Sequence, residues 1–374
     1  MKITISAIKA DVGSIGGHTR PLEAMLEAAR ARMDLAIECG QIIDAMVTFT
    51  GDDIALTMTH TKGNDHPEIH QLAWDTFLAA TEIAKQYGCY GAGQDLLVDA
   101  PSGNVRGAGP GVAEITFDHV LEKPRAAESF MVVTADKCGP GAFNLMLFSA
   151  FADPMFCAGL MLPGMIQGFT FEIIDMDNTT RQEASKIVLH APEDYYKIAF
   201  LLRDNNRFGI SAIYSRRYPD AQAVSASTDR LHNIAGTYAG KDDPIAIIRN
   251  QGIFPAPEEI VAPLAKAYYT GGGARGSHNM PLVPMPMNSA VTGVYCMPII
   301  SCVGYSLAPD GTFARAQVDF LDNPVWDAVR LKAQHKAFEL RENGWSGPAM
   351  LPYSELEYGG YRETLADLLA QFSR

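Results

Sequence analysis

A chain of 374 residues, 47% hydrophobic and 20% charged, has the composition of a soluble globular protein and enough apolar material for a large core. Its net charge of -13 argues against nucleic acid and anionic membranes as partners, and no apolar run approaches the roughly 20 residues that span a bilayer. Six cysteines without a CxxC pair read as free thiols, and argue against both a disulfide framework and structural zinc.

The N-terminal stretch MKITISAIKADVG alternates apolar and polar residues and reaches Asp11 before a signal-peptide core can form, so a cytoplasmic location is expected. Residues 3–10 read as a strand, followed by the Gly-rich turn DVGSIGGH. Pro21 opens a helix in which Leu22, Met25, Leu26, Ala29, Met33, Ala36 and Ile37 share one face, and Gly40 ends it. IIDAMVTFT, the turn GDD and IALTMTH read together as a β-hairpin with an acidic tip. A second amphipathic helix is expected over 67–86, with Leu72, Phe77, Ala80 and Ile83 on one face. Beyond residue 113, AEITFDHV, SFMVVTAD, GFTFEIIDM, SKIVLHA, GISAIYS and AQAVSAS read as strands, and 142–152, 193–203, 325–343 and 361–372 as helices. Strands that follow one another without a helix between them favour an α+β fold with mostly antiparallel sheets. The Gly-, Pro- and Met-rich stretch 271–298 reads as an ordered loop region. No repeat or linker marks a boundary, so residues 1–374 are expected to form a single domain.

Three motifs could carry chemistry. Asp11, His18, Asp52, Asp53 and Asp136 fall at predicted strand ends or the hairpin tip, where carboxylates suit a hard cation such as Mg²⁺. The same residues also suit ordinary turns and helix caps. The glycines of GQDLLVDAPSGNVRGAGPG (93–111) would let backbone N–H groups approach a phosphate, or simply form an irregular loop. In TYAGKDDP (237–244), Lys241 could attack a carbonyl with Tyr238 moving protons, provided that the charges of Asp242 and Asp243 are neutralised. As an isolated string KDD is equally a solvated loop.

Taken in order, IKADVGSIGGH (8–18), GDD (51–53), YGAGQD (90–95), SGNVRGAGPGVAE (102–114), ADK (135–137), IAGTYAGKDDP (234–244), ARGSH (274–278) and LEY (356–358) resemble the bifunctional fructose-1,6-bisphosphate aldolase/phosphatase family of archaea and some bacteria. The resemblance spans nearly the whole chain with spacing intact. It implies a four-layer α-β-β-α sandwich, stacked mostly antiparallel sheets flanked by helices, assembled as a homo-octamer. The implied activities are Schiff-base condensation of two triose phosphates and Mg²⁺-dependent removal of the 1-phosphate from fructose 1,6-bisphosphate, in gluconeogenesis.

By the same resemblance, Asp11, His18, Asp52, Asp53, Gln94, Asp136, Asp242 and Asp243 would hold several Mg²⁺ ions. Lys241 would be the Schiff-base lysine, Tyr238 its proton donor and acceptor, and Asp11 the base that activates water. His18, Tyr90, Gly103, Asn104, Lys137, Gln251, Arg275 and Tyr358 would hold sugar phosphate. The ions would also explain how an acidic protein accepts an anionic substrate. One departure is local: where family members carry charged residues after ARGSH, this chain reads MPLVPMPMNSAVTGVYCMP, with Met287, Asn288, Ser289, Ala290 and Cys296 in the altered stretch. That departure leaves open a paralogue acting on another phosphorylated sugar. A non-catalytic sugar-phosphate sensor is disfavoured by Asp11, Tyr238 and Lys241, which binding alone does not require.

Overall fold

In the computed structural model two β-sheets stack face to face and helices cover both outer faces, the expected α-β-β-α order. The structure describes residues 1–96, 109–119, 128–175, 185–227, 243–272, 278–291, 293–294, 297–344 and 361–372.

The smaller sheet has four antiparallel strands in the order β2 (Asp44–Thr50), β3 (Asp53–His60), β1 (Lys2–Asp11), β4 (Gly111–Asp118). Helices α1 (Glu23–Glu38) and α2 (Pro67–Gln86) lie on its outer face. Met25, Leu26, Ala29 and Met33 of α1, with Leu72, Phe77 and Ala80 of α2, pack on Ile8, Ala10, Leu56 and Met58. His66 caps α2, its Nδ1 accepting the Glu68 N–H at 3.3 Å, and Pro67 supplies the preset first turn.

The larger sheet runs β13 (Val283–Pro284), β14 (Ile299–Leu307), β5 (Glu128–Asp136), β10 (Ile245–Asn250), β9 (Gln222–Ala226), β8 (Phe208–Ser215), β6 (Phe169–Asp175), β7 (Ser185–Ala191), with β15 (Gln317–Asp319) also paired to β14. Among the described strand pairs only β13–β14 is parallel. Its outer face is covered by α3 (Asn144–Phe151), α4 (Tyr195–Leu202) and the short α5 (Pro257–Val261), through Met146, Leu147, Ile198 and Ile260. Helix α6 (Asp327–Glu342) packs Ala333 and Ala337 on Met280 and Val283, beside the hairpin of β11 (Tyr269–Gly272) and β12 (His278–Pro281). Helix α7 (Tyr361–Phe372) ends the described chain.

Two of the longer strands went unread in the sequence, as did the three-residue β15. IAIIRN (β10) and IISCVGYSL (β14) are near-continuous apolar runs because both their faces are covered, so they lack the alternation of a half-exposed strand. The stretch 271–298, expected as loop, contains β12 and β13 and the end of β11.

Between the sheets, Ile3, Ile5 and Ala7 of β1 meet Phe130, Val132, Ile245 and Ile247. Each large side chain buried there contributes about 1.5–3 kcal/mol. Period two carries the same strand face on to Lys9 and Asp11, so the layer changes from hydrocarbon to charge at the end of β1. There the sheets are clipped together by a Thr50 Oγ1–Thr134 Oγ1 hydrogen bond of 2.6 Å.

A buried polar chain lies at the other end of β1. His60 Nδ1 accepts the Lys62 N–H at 3.2 Å, so the ring proton sits on Nε2 and faces Ser6 Oγ at 2.8 Å. Ser6 in turn donates to Glu114 Oε1 at 2.6 Å, and Glu114 also faces His70 and the Asp65 N–H. Burial holds His60 at about 4, against 6.5 ordinarily, although Glu114 pulls the other way and Lys62, His66 and His70 reinforce the drop. Because the folded value is the lower one, protons favour the unfolded chain as pH falls below 6.5, and the loss levels off near 4. Stability should therefore fall by about 2 kcal/mol between pH 7 and pH 4.5 from this group alone. Urea denaturation at both pH values checks this: His60→Gln should show a shallower pH slope than the parent, and parallel slopes would contradict it.

Candidate active site and metal centre

The acidic residues singled out in the sequence converge where β1, β3 and β5 end together. Asp11, the last residue of β1, pairs in register with Asp53, the first of β3. Gly51 at φ 60° turns the hairpin so that Asp52 points inward, and the Asp52 N–H donates to Asp136 Oδ2 at 3.1 Å. Asp136 ends β5. Asp243 arrives from the segment before β10, its carboxylate accepting the Cys138 N–H at 2.7 Å and its own N–H donating to Cys138 O at 2.8 Å. Ligand atoms of Asp11, His18 and Asp52 lie within 4.8 Å of one another, as do those of Asp53, Asp136 and Asp243.

The surrounding residues fix this arrangement. His18 Nδ1 is 3.1 Å from Asp52 Oδ2, and its ring meets Tyr90 edge to face at 4.8 Å. The loop bearing Tyr90 and Gln94 is tied to the end of β1 by paired Ser14–Tyr90 backbone bonds of 2.9 Å and by Gly93 N–H to Val12 O at 3.1 Å. Lys137 Nζ donates to Asp52 Oδ1 and, at 2.7 Å, to Asp136 Oδ1.

Two residues of the site escaped the sequence reading. Lys9 is fully buried and donates to Asp53 Oδ2 and, at 2.6 Å, to Ala135 O, which joins the two sheets under the acids. A charge on the otherwise apolar face of β1 was the available signal. Asp95 Oδ2 accepts the Asp11 N–H at 2.9 Å and its Oδ1 accepts Gly109 N–H at 3.2 Å, so it orients Asp11.

Among the described residues the centre is short of positive charge: five carboxylates (Asp11, Asp52, Asp53, Asp136, Asp243) face the ammonium groups of Lys9 and Lys137. Burial, then the charge of Asp52, pushes the Asp11 and Asp136 carboxyls well above the usual carboxylate range. Burial also opposes ionisation of Asp52, but Lys137 and then His18 outweigh it and hold that carboxyl well below the range. Burial likewise works against the Lys137 ammonium, and Asp136 and Asp52 outweigh it, so its proton is held tightly. Positive charge arriving beside these two acids would favour their ionised forms, as at a cation site. Gln94 Oε1 is buried with no hydrogen-bond donor among the described residues, an acceptor suited to a hard cation. The donor set, nearly all oxygen, fits a hard cation rather than a soft metal.

Not every expected residue joins this centre. Gln251 follows β10 at the end opposite Ser129, whereas Asp243 precedes the end opposite Thr134, so about 20 Å of strand separates them within one chain. Gly103, Asn104, Tyr238, Lys241, Asp242, Arg275, Cys296 and Tyr358 lie outside the described residues. The altered stretch docks on the hairpin: Asn288 Oδ1 accepts the Phe49 N–H at 2.9 Å, and Ser289 O accepts the Gly51 N–H at 2.9 Å. It braces the acidic turn, a role that needs no charge. A further grouping, Asp65, His70 and Glu114, belongs to the buried chain at the far end of β1. The cysteines among the described residues are free thiols, as expected.

A family model described as fructose-1,6-bisphosphatase matches residues 2–373. A Thermus thermophilus protein named fructose-1,6-bisphosphate aldolase/phosphatase is 49% identical over 100% of both chains. Proteins of the same name from Cenarchaeum symbiosum (43% identical, 98% of this chain and 93% of the relative) and Methanothermobacter marburgensis (41% identical, 98% of each) match as fully. With the motifs in order, the acids gathered at one set of strand ends and the match running end to end, the chain belongs to the fructose-1,6-bisphosphate aldolase/phosphatase family.

Proposed function

We propose that this chain is a bifunctional enzyme, a fructose-1,6-bisphosphate aldolase that works by a Schiff base and a fructose-1,6-bisphosphate 1-phosphatase, serving gluconeogenesis in the cytoplasm. The observation that carries the reading is the end-to-end identity with relatives named for both activities, joined to an acidic centre built from the family's motif residues.

Asp11, His18, Asp52, Asp53, Gln94, Asp136, Asp242 and Asp243 would hold Mg²⁺. When bound, the ions neutralise the bisphosphate and lower the pKa of water near the phosphorus. For condensation, the Lys241 amine attacks the carbonyl of dihydroxyacetone phosphate, forming an imine and releasing water, and Tyr238 moves the proton that the carbon–carbon bond formation requires. For hydrolysis, Asp11 takes the proton of the attacking water as the P–O bond to the C1 oxygen breaks, giving fructose 6-phosphate and phosphate. Asp95 holds Asp11 from behind through its N–H, and Lys9 fixes Asp53. His18, Tyr90, Gly103, Asn104, Lys137, Arg275 and Tyr358 would hold the sugar phosphate.

Assembly into an oligomer, an octamer by family resemblance, is supported by exposed apolar residues such as Met155 (93% exposed), Tyr196 (86%) and Phe200 (75%). Among the described residues no helix is long and apolar enough to cross a membrane. Phosphate release from fructose 1,6-bisphosphate with Mg²⁺ and with excess EDTA tests the proposal. Release is expected only with Mg²⁺, and metal removal should also lower stability as the carboxylates repel.

A further inference from the structure

We propose that Lys137 is a placeholder cation, and that its exchange for divalent ions couples metal loading to the capture of a phosphate group. The inference rests on the acidic centre being a divalent-cation site.

The acids form two groups, Asp11 with His18 and Asp52, and Asp53 with Asp136 and Asp243. Lys137 Nζ donates to one oxygen from each, Asp52 Oδ1 and Asp136 Oδ1, so a single ammonium bridges both groups. These are the oxygens that hard cations compete for, and one positive charge competes poorly with two. Metal loading therefore releases the ammonium, which keeps its charge and loses its partners. A phosphate oxygen is then its best acceptor at the mouth of the same centre. The exchange also runs in reverse: an anion that draws Lys137 away frees both oxygens for metal. Linkage makes the two effects equal in size.

Lys9 shows why this role falls to Lys137. Lys9 is wholly buried between Asp53 and the Ala135 carbonyl, so it is a fixed counter-charge. Lys137 is 8% exposed and sits past the end of β5 at φ 59°, a left-handed conformation that is rare outside glycine. That backbone turns its side chain back over Asp136, and the Lys137 N–H also donates to Asp136 Oδ1 at 2.7 Å. The residue is thus anchored at its backbone and, among the described residues, held at its tip by groups that metal would occupy.

Two measurements test the exchange. In the parent protein, amine acylation by an N-hydroxysuccinimide ester, mapped by mass spectrometry, should find Lys137 protected in EDTA. It should be labelled with Mg²⁺ alone and protected again once inorganic phosphate is added. Labelling that ignores Mg²⁺ overturns the proposal. In calorimetric titrations, Lys137→Met should bind Mg²⁺ about 5- to 100-fold more tightly than the parent without phosphate. Phosphate should raise Mg²⁺ affinity in the parent by a similar factor and much less in the variant. Equal Mg²⁺ affinity in the two proteins overturns the placeholder role alone. No Mg²⁺ binding to either folded protein overturns the cation-centre reading, and the exchange falls with it.

Discussion

Replacing Lys241 by arginine should abolish aldol condensation and leave phosphate release from fructose 1,6-bisphosphate at least partly intact. A guanidinium stays protonated at any pH the protein survives, so it cannot supply the lone pair that imine formation needs. Hydrolysis is proposed to use water as its nucleophile, with Asp11 still in place to take the proton. The converse variant, Asp11→Asn, should cost phosphate release about 10²–10⁴-fold. Borohydride with dihydroxyacetone phosphate should still trap Lys241 in that variant. The two candidate groups stand on separate motifs, one ending β1 and the other two residues before Asp243. Condensation undiminished in Lys241→Arg, or borohydride labelling of some other lysine, would make the protein at most a phosphatase.

Gly51→Ala should disable the centre although it removes no functional group. At φ +60° an added Cβ would sit 1.5 Å from Asp136 Oδ2 and 2.6 Å from Val291 Cγ2. Asp136 cannot yield freely, because the Asp52 N–H and Lys137 hold its carboxylate. The left-handed backbone alone costs roughly 1–2 kcal/mol with a side chain, and relieving the overlap about 1–3 kcal/mol more. Moving one carboxylate by an ångström should lower phosphatase kcat about 10²-fold. Gly40→Ala is the control: it is also left-handed, at φ +69°, with nothing within 4 Å, so it should lose stability without losing turnover. Equal kcat in the two variants would mean that Asp136 is not held where the chemistry needs it.

The gathering of Asp11, Asp52, Asp53 and Asp136 was legible as separate strand ends but not as one place. Strand alternation ties each acid to a terminus, whereas only the register Asp11↔Asp53 and the stacking of β5 beneath the hairpin bring the termini together. Helix 67–86 was readable because its apolar stripe and the Gly88 that closes it are both local signals. β10 and β14 were not, since strands buried on both faces carry no period-two pattern. Gln251 follows Asp243 closely in sequence, yet the intervening strand takes it to the opposite end of the sheet, a separation that spacing alone does not reveal. Lys9 was passed over as part of an amphipathic strand, although a lysine on the inter-sheet face beside Ile5 and Ala7 has no solvent to reach.

Hydrolysis of a sugar bisphosphate is proposed to need the acidic centre and Mg²⁺ together. The most direct test is phosphate release by the full chain on fructose 1,6-bisphosphate, with the sugar product identified, in Mg²⁺ and in excess EDTA. One phosphate and one fructose 6-phosphate per substrate are expected with Mg²⁺, and background release in EDTA that returns to the full rate when Mg²⁺ is restored. Undiminished release in EDTA, or no release by folded protein saturated with Mg²⁺, would contradict the proposal.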